Sequence, residues 1–252
     1  MHWTARYTVA VASVFIASNA FGESGFFDSE GVRIHYQIEG EGPPVVLIHG
    51  YLATGDLNWR VNGVVGRLAA DHRVVVVDNR GHGKSDQPLT PDAYGEAMAA
   101  DVVRLMDHLA IEKAHIVGYS MGGMIAIKIC ATRPERVAAA VVGGMGWLPK
   151  GPVRDRPSPP NLPAAFAAKQ ACAAAFPALG TTEEEFQAIR VPMTVVVGEE
   201  DGLIERVRAL ESLRPDIPVV RIPGANHVSC IWRDEFKDAI HKAVERPPVV
   251  RD

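Results

Sequence analysis

One serine of the sequence lies in a pattern that could make it a nucleophile. Ser120 is the centre of Gly118-Tyr119-Ser120-Met121-Gly122, which matches G-x-S-x-G. A short apolar run at 115–117 precedes it and a helical pattern at 121–132 follows it. A strand, a sharp turn and a helix in this order form a nucleophile elbow, where glycines let the backbone close tightly and hold the serine outward. This context predicts Ser120 as the nucleophile, whereas the motif alone is a weak signal.

A serine hydroxyl reacts readily when an imidazole can take its proton and a carboxylate orients that imidazole. Two later apolar runs are followed by such groups. The run 193–197 leads into Gly198-Glu199-Glu200-Asp201, and the run 219–222 leads into Gly224-Ala225-Asn226-His227. We expect Asp201 to be the acid, with the neighbouring glutamates as alternatives. We expect His227 to be the base, because it follows a late strand. The rivals His2, His72, His108 and His241 lie in the first residues, near helix ends or in the last helix, and none of them follows a late strand.

Acyl transfer also needs two backbone N–H groups that point at the developing oxyanion. One is expected at Met121, the residue after the nucleophile. The other is expected at Tyr51, which follows His49-Gly50 and the apolar run 45–48. His49 is predicted to shape this loop and not to take part in the chemistry.

Short apolar runs alternate with helical patterns along most of the chain. Continuously apolar runs are typical of parallel strands that are covered on both faces. The sequence therefore predicts an α/β fold, a mostly parallel, doubly wound sheet with helices on both faces, and a ligand site at the carboxyl ends of the strands. Strands are expected at 32–38, 45–48, 74–77, 115–117, 137–142, 193–197 and 219–222, and helices at 58–68, 98–109, 121–132, 203–213 and 232–244.

One segment breaks this alternation. Residues 147–190 hold seven of the 18 prolines and an alanine-rich stretch. They are predicted to form a small inserted cap over the strand ends, with a long surface loop as the alternative.

Composition limits the classes of protein. The 252 residues are 47% hydrophobic and 22% charged, which is a globular composition, and we expect one domain over 21–252. The net charge of −4 leaves no basic surplus for nucleic acid, which is not expected as a partner. The sequence is silent on oligomeric state.

The first 20 residues predict a signal peptide. Arg6 precedes an apolar run at 7–17, and Ser18-Asn19-Ala20 places small side chains at the −3 and −1 positions of a cleavage site. Export to the periplasm or the medium, with cleavage near Ala20 and no stable membrane association afterwards, is the expectation. An uncleaved anchor or a buried first strand is the alternative.

Three cysteines allow one disulfide at most. Cys130 falls in an apolar helical pattern and is predicted to be a core residue. Cys172 and Cys230 could pair in an oxidising compartment.

Together these motifs resemble the α/β-hydrolase superfamily from about residue 26 to residue 245. Residues 78–85, Asp-Asn-Arg-Gly-His-Gly-Lys-Ser, look like the D-x-R-G-H-G-x-S loop of many members. The resemblance implies that this loop is structural, so His82 is not a catalytic candidate. It also disfavours dehalogenase and epoxide hydrolase chemistry, in which the nucleophile is aspartate.

The resemblance implies a serine hydrolase that cleaves carboxylic esters through an acyl-enzyme, with no metal and no organic cofactor. A small-molecule ester is the expected substrate, and a short cap implies an open site. The same residues could also cleave lactones or amides, transfer acyl groups or perform perhydrolysis. A ligand-binding module with little turnover is the alternative from another class.

Overall fold

Eight strands form one sheet in the order β1-β2-β4-β3-β5-β6-β7-β8. The computed structural model describes residues 22–154 and 161–245, so the predicted signal peptide lies outside the described residues. The strands are β1 Glu23–Ser29, β2 Val32–Glu39, β3 Pro44–Ile48, β4 Arg73–Val77, β5 Ala114–Tyr119, β6 Val137–Gly143, β7 Met193–Gly198 and β8 Val219–Ile222.

The prediction of a mostly parallel sheet is confirmed. β1 pairs antiparallel with β2, and β2 antiparallel with β4, while every further pair is parallel. β1 was not predicted as a strand. Its sequence, ESGFFDS, contains no β-branched residue and lies at the sheet edge, where most of its side chains are exposed.

Side chains of successive strand residues enter two separate apolar clusters. In β3, Val46 and Ile48 belong to one cluster, and Val45 and Leu47 to the other. This alternation follows from the two-residue period of a strand and explains why the buried strands read as continuously apolar. The described residues form seven α-helices, which are α1 Val64–Leu68, α2 Glu96–His108, α3 Met121–Thr132, α4 Ala164–Ala174, α5 Glu183–Gln187, α6 Ile204–Leu213 and α7 Asp234–Glu245.

Helices cover both faces of the sheet. The first cluster contains side chains of α2, α3 and α6, and the second contains side chains of α1 and α7. The prediction of a single helix over 58–68 is wrong. A one-turn helix Asp56–Arg60 is separated from α1 by Gly63, whose φ of 84° lies in the left-handed region and ends the first helix.

The centre of the sheet is a topological switch point. The chain leaves β3 for β4 on one side, and then returns to β5 on the other side of β3. Ile48 pairs with Gly118, so the loops after β3 and β5 begin side by side. Loops that diverge at such a point leave a crevice at the carboxyl ends of the strands.

The predicted cap contains α4, a short helix Phe176–Leu179 and α5, and residues 155–160 of it lie outside the described residues. Thr182 and Glu185 form a reciprocal capping box that starts α5. Within the described ranges, none of the helices has the length and hydropathy needed to cross a bilayer.

The three thiols are free and buried. Cys172 belongs to the first apolar cluster and Cys230 to the second, so the sheet separates them and the pairing that the sequence left open is not formed.

Candidate active site

Ser120 lies in a strained turn between β5 and α3. Its φ of 54° and ψ of −112° are rare for a residue with a side chain, at a cost of about 1–3 kcal/mol. Two glycines make the turn feasible. A Cβ on Gly118 would lie 2.0 Å from the Gly122 carbonyl oxygen, and a Cβ on Gly122 would lie 2.0 Å from that of Ile48. The turn therefore has the elbow geometry that the sequence predicts.

The structure brings Ser120, His227 and Asp201 together. The Ser120 Oγ lies 2.9 Å from His227 Nε2. On the other side of the ring, His227 Nδ1 lies 2.8 Å and 3.0 Å from the two Asp201 oxygens. A carboxylate only accepts hydrogen bonds, so it favours the tautomer with the proton on Nδ1 and leaves Nε2 free to accept the serine proton.

Burial distinguishes Asp201 from its rivals. Asp201 is 2% exposed, whereas Glu199 and Glu200 are exposed. The amide of Leu203 donates to an Asp201 oxygen at 2.8 Å and helps to fix the carboxylate. The Glu199 amide donates to the carbonyl of Ile222 at the end of β8, and the Glu200 amide donates to the carbonyl of Ala225 in the loop that follows. The backbones of both glutamates thus join the loop that carries Asp201 to the loop that carries His227, while their side chains face solvent.

Several hydrogen bonds fix the histidine loop, residues 223–229, which carries His227. The Asn226 side-chain oxygen accepts from the amides of Val228 and Ser229, each at 2.9 Å. The Tyr119 hydroxyl donates to the His227 carbonyl at 2.7 Å, and the two rings lie 5.5 Å apart. Burial raises the pKa of Tyr119, so it remains a neutral donor. Tyr119, which sequence reasoning missed, thereby ties the histidine loop to the end of the nucleophile strand.

The loop after β3 lies directly beside the serine. A Cβ on Gly50 would be 3.3 Å from the Ser120 Cβ. The Gly50 amide donates to the Asn58 side chain at 2.6 Å, which anchors the loop. Among the described residues, the amides of Tyr51 and Met121 have no hydrogen-bond partner. Both are thus available to a ligand, as an oxyanion site requires.

Two buried histidines support this loop. His49 Nδ1 donates to the Gly50 carbonyl at 2.7 Å, and His49 Nε2 accepts from the Asn79 amide at 3.0 Å. His82 Nε2 accepts from the Leu52 amide at 3.3 Å. Burial lowers the pKa of His49 to about 4 and that of His82 to about 3, so both rings are neutral at pH 7. They act as fixed hydrogen-bonding groups.

The loop 78–85 is held by buried charges. Arg80 makes two 2.6 Å hydrogen bonds to Asp101 of α2. Asp78 accepts from the Gly55 and Lys84 amides at 2.8 Å and 3.0 Å. Asp101 was not singled out from the sequence, because a lone carboxylate in a helical pattern gives no sign that it is buried.

The cap also contacts the site. The Tyr51 hydroxyl donates to the Lys169 carbonyl at 2.9 Å, and the Lys169 ammonium donates to the Gly81 carbonyl. Sequence reasoning missed Lys169. The available signal was that it is the single charged residue between 157 and 182.

One group of metal-ligating side chains occurs elsewhere in the described residues. Asp71, His241 and Glu245 have ligand atoms within 4.8 Å of one another, and both carboxylates are exposed. Asp71 lies just before β4, at the amino end of the strands. It is therefore at the opposite edge of the sheet from Ser120.

This fold, with a serine elbow, an imidazole and a buried carboxylate at its switch point, defines an α/β-hydrolase type of protein. A family model described as alpha/beta hydrolase fold matches residues 43–170, which is half of the chain. The chain therefore belongs to the alpha/beta hydrolase fold family, and this membership supports a hydrolase.

Individual relatives match parts of the chain. The 2-hydroxy-6-oxononadienedioate/2-hydroxy-6-oxononatrienedioate hydrolase of Comamonas testosteroni is 35% identical over 141 residues, 55% of this chain and 47% of that protein. The dihydrolipoyllysine-residue acetyltransferase component of the acetoin cleaving system of Cupriavidus necator is 41% identical over 125 residues, 48% of this chain and 32% of that protein. The chain thus spans less than half the length of either relative.

A solved structure extends the likeness to most of the described chain. The crystal structure of E-2-(acetamidomethylene)succinate hydrolase matches with a TM-score of 0.69 and 22% identity, over 89% of this chain and all of that one. At this identity the likeness concerns the fold alone.

Proposed function

We propose that the protein is a serine hydrolase that cleaves carboxylic esters through an acyl-enzyme. The observation that carries this proposal is the continuous series of hydrogen bonds from Ser120 Oγ through the His227 ring to Asp201. A serine in this setting is activated for attack on an acyl carbon.

The first half of the reaction forms the acyl-enzyme. Ser120 Oγ attacks the ester carbonyl carbon while His227 Nε2 takes the hydroxyl proton. The oxyanion that forms accepts hydrogen bonds from the Tyr51 and Met121 amides. Asp201 holds the imidazole in place and stabilises its positive charge. His227 then gives the proton to the leaving alkoxide as the carbon–oxygen bond breaks, and an alcohol departs.

Water completes the cycle. His227 takes a proton from water, the hydroxide adds to the acyl carbon, and the second tetrahedral intermediate collapses. The proton returns to Ser120 Oγ, and a carboxylic acid is released. Every proton is held by Ser120, His227, water or the leaving group, so these residues suffice for the reaction.

Replacement of the nucleophile tests the proposal. Loss of a triad nucleophile costs about a millionfold in turnover, so Ser120→Ala should abolish hydrolysis of a short p-nitrophenyl ester. Ser212→Ala, an exposed serine of α6, is the matched control and should keep parental activity. Parental kcat in Ser120→Ala, with an unchanged melting temperature, would refute the nucleophile assignment.

A panel of esters, amides, lactones and peroxide with acetate separates ester cleavage from other uses of the same residues. We expect the highest kcat/KM of the panel on esters. If an amide or a lactone were strongly preferred, the ester assignment would be wrong and the nucleophile assignment would stand.

A further inference from the structure

Lys169, in the middle of the cap, is a cation that forms no ion pair with a carboxylate among the described residues. It is half-buried, and it is the only charged residue of α4. Its ammonium donates to the Gly81 carbonyl, and it takes part in none of the ion pairs found among the described residues. An ammonium has three donors and carries a full charge, so one carbonyl leaves it only partly compensated.

α4 packs beside residues of the candidate site. The Lys169 carbonyl accepts the Tyr51 hydroxyl at 2.9 Å. Cys172, three residues further and on the same helix face, has its Sγ 3.7 Å from the Met121 Sδ. Tyr51 and Met121 are the two residues whose amides are available to an oxyanion. α4 therefore packs against the side chains of both residues that carry the candidate oxyanion amides.

The surroundings balance the positive charge of Lys169 only in part at neutral pH, since the charge of Asp78 acts on it without a direct ion pair. Burial lowers the pKa of Lys169 to about 8, so most molecules carry the charge at pH 7. Burial would raise the pKa of Asp78, but amide hydrogen bonds hold it below its ordinary value, and those amides together with His35 occupy its oxygens. His49, His82, Cys172 and Tyr51 also lie nearby and are neutral at this pH. Asp92, in the helical turn Pro91–Ala93 that packs against α4, is exposed and forms no ion pair with Lys169 among the described residues.

A partly desolvated cation beside a reaction site is stabilised when an anion of the substrate binds to it. We propose that Lys169 binds a carboxylate of the substrate, so that the preferred esters are monoesters of dicarboxylic acids. This inference rests on the proposed ester hydrolysis.

Two p-nitrophenyl esters of similar shape test the inference, the glutarate monoester, which keeps a free carboxylate, and the neutral pentanoate. The measured quantity is the ratio of their kcat/KM values. A hydrogen bond to a charged group is worth about tenfold or more, so Lys169→Met should lower this ratio at least tenfold. Lys169→Arg should keep most of it. Lys113→Met removes an exposed lysine elsewhere and should leave it unchanged.

The pH dependence gives a readout that a purely structural role would not move. The parental ratio should fall as the pH rises through about 8, because Lys169 loses its charge there. In Lys169→Arg the ratio should stay flat over this range, since a guanidinium remains charged. If Lys169→Met slowed both esters equally, or if the ratio were independent of pH in the parent, the inference would be overturned and ester hydrolysis would stand.

If the proposed ester hydrolysis itself is wrong, a different result is expected. If the parent turned over neither ester, calorimetric titration with glutarate would still decide the inference. Weaker glutarate binding by at least tenfold in Lys169→Met would support it, and equal or undetectable binding in both proteins would refute it.

Discussion

The side chains of the candidate site differ in role because they differ in burial. Asp201 has no solvent to stabilise its charge, so its interaction with the His227 ring is strong and directional. Glu199 and Glu200 have the same chemical group two and one residues away, but water surrounds them. One carboxylate of three can therefore orient the imidazole.

Replacement of each carboxylate by its amide tests this difference. Asp201→Asn should lower kcat on a p-nitrophenyl ester about ten-thousandfold, since an amide can stabilise the wrong imidazole tautomer. Glu199→Gln and Glu200→Gln are the matched controls and should stay within about twofold, as solvated side chains contribute little. A large loss in either glutamine variant, with Asp201→Asn unaffected, would move the acid to the neighbouring position.

Position in the sequence was enough to predict which residues meet, but not how they are held. Ser120, Asp201 and His227 each follow a predicted strand, and parallel strands bring such residues to one edge. Tyr119 donates a hydrogen bond to the carbonyl of His227, 108 residues further along the chain, and no local pattern encodes such a contact. The same applies to Lys169, whose isolation among apolar residues was visible while its neighbours were not.

The elbow at Ser120 depends on the close approach between α3 and β3. Gly122 faces the Ile48 carbonyl, where a methyl group has no room. We expect Gly122→Ala to destabilise the fold by about 2–3 kcal/mol, because α3 must shift to avoid backbone that cannot yield. Urea unfolding measures this change in the free energy of unfolding.

A second glycine in a helix provides the matched control. Gly66 of α1 is exposed and has nothing within 4 Å of an added Cβ. Gly66→Ala should therefore stabilise the protein by up to about 1 kcal/mol through helix propensity. Equal effects of the two substitutions would show that close packing at Gly122 does not limit the elbow.

Elements with a clear apolar pattern, whether periodic or continuous, could be predicted from the sequence, and those without one could not. α2, α3, α6 and α7 lie within two residues of their predicted bounds. β1 was missed because it is an edge strand with a polar sequence. The single helix expected over 58–68 was wrong because its apolar residues kept a helical period on both sides of Gly63, whose left-handed backbone separates two short helices.

In the molecule as a whole, the switch point explains why Ser120 and the loop after β3, which carries Tyr51, share one crevice. β3 and β5 are neighbours whose following loops diverge. The sequence predicted a mostly parallel sheet but not the contacts of the cap, because the proline-rich segment 147–163 has no periodicity from which its course could be inferred.

Export remains a prediction from residues 1–20. We expect the secreted or periplasmic protein to begin at Phe21, since Ala20 is the small residue before the cleavage site. Ala20→Tyr should block processing, whereas Asn19→Tyr, at the tolerant position before it, should not. Intact mass of the native protein measures the first residue, and Met1 retained in a cytoplasmic fraction would contradict export.

In the proposed reaction, His227 and Asp201 activate Ser120. The most direct test of this activation is reaction with a fluorophosphonate, followed by peptide mapping of the modified residue. We expect one adduct, on Ser120, that forms rapidly in the parent and at least about a thousandfold more slowly in His227→Ala. An adduct on another residue, or equally rapid labelling of Ser120 without the imidazole, would contradict this expectation.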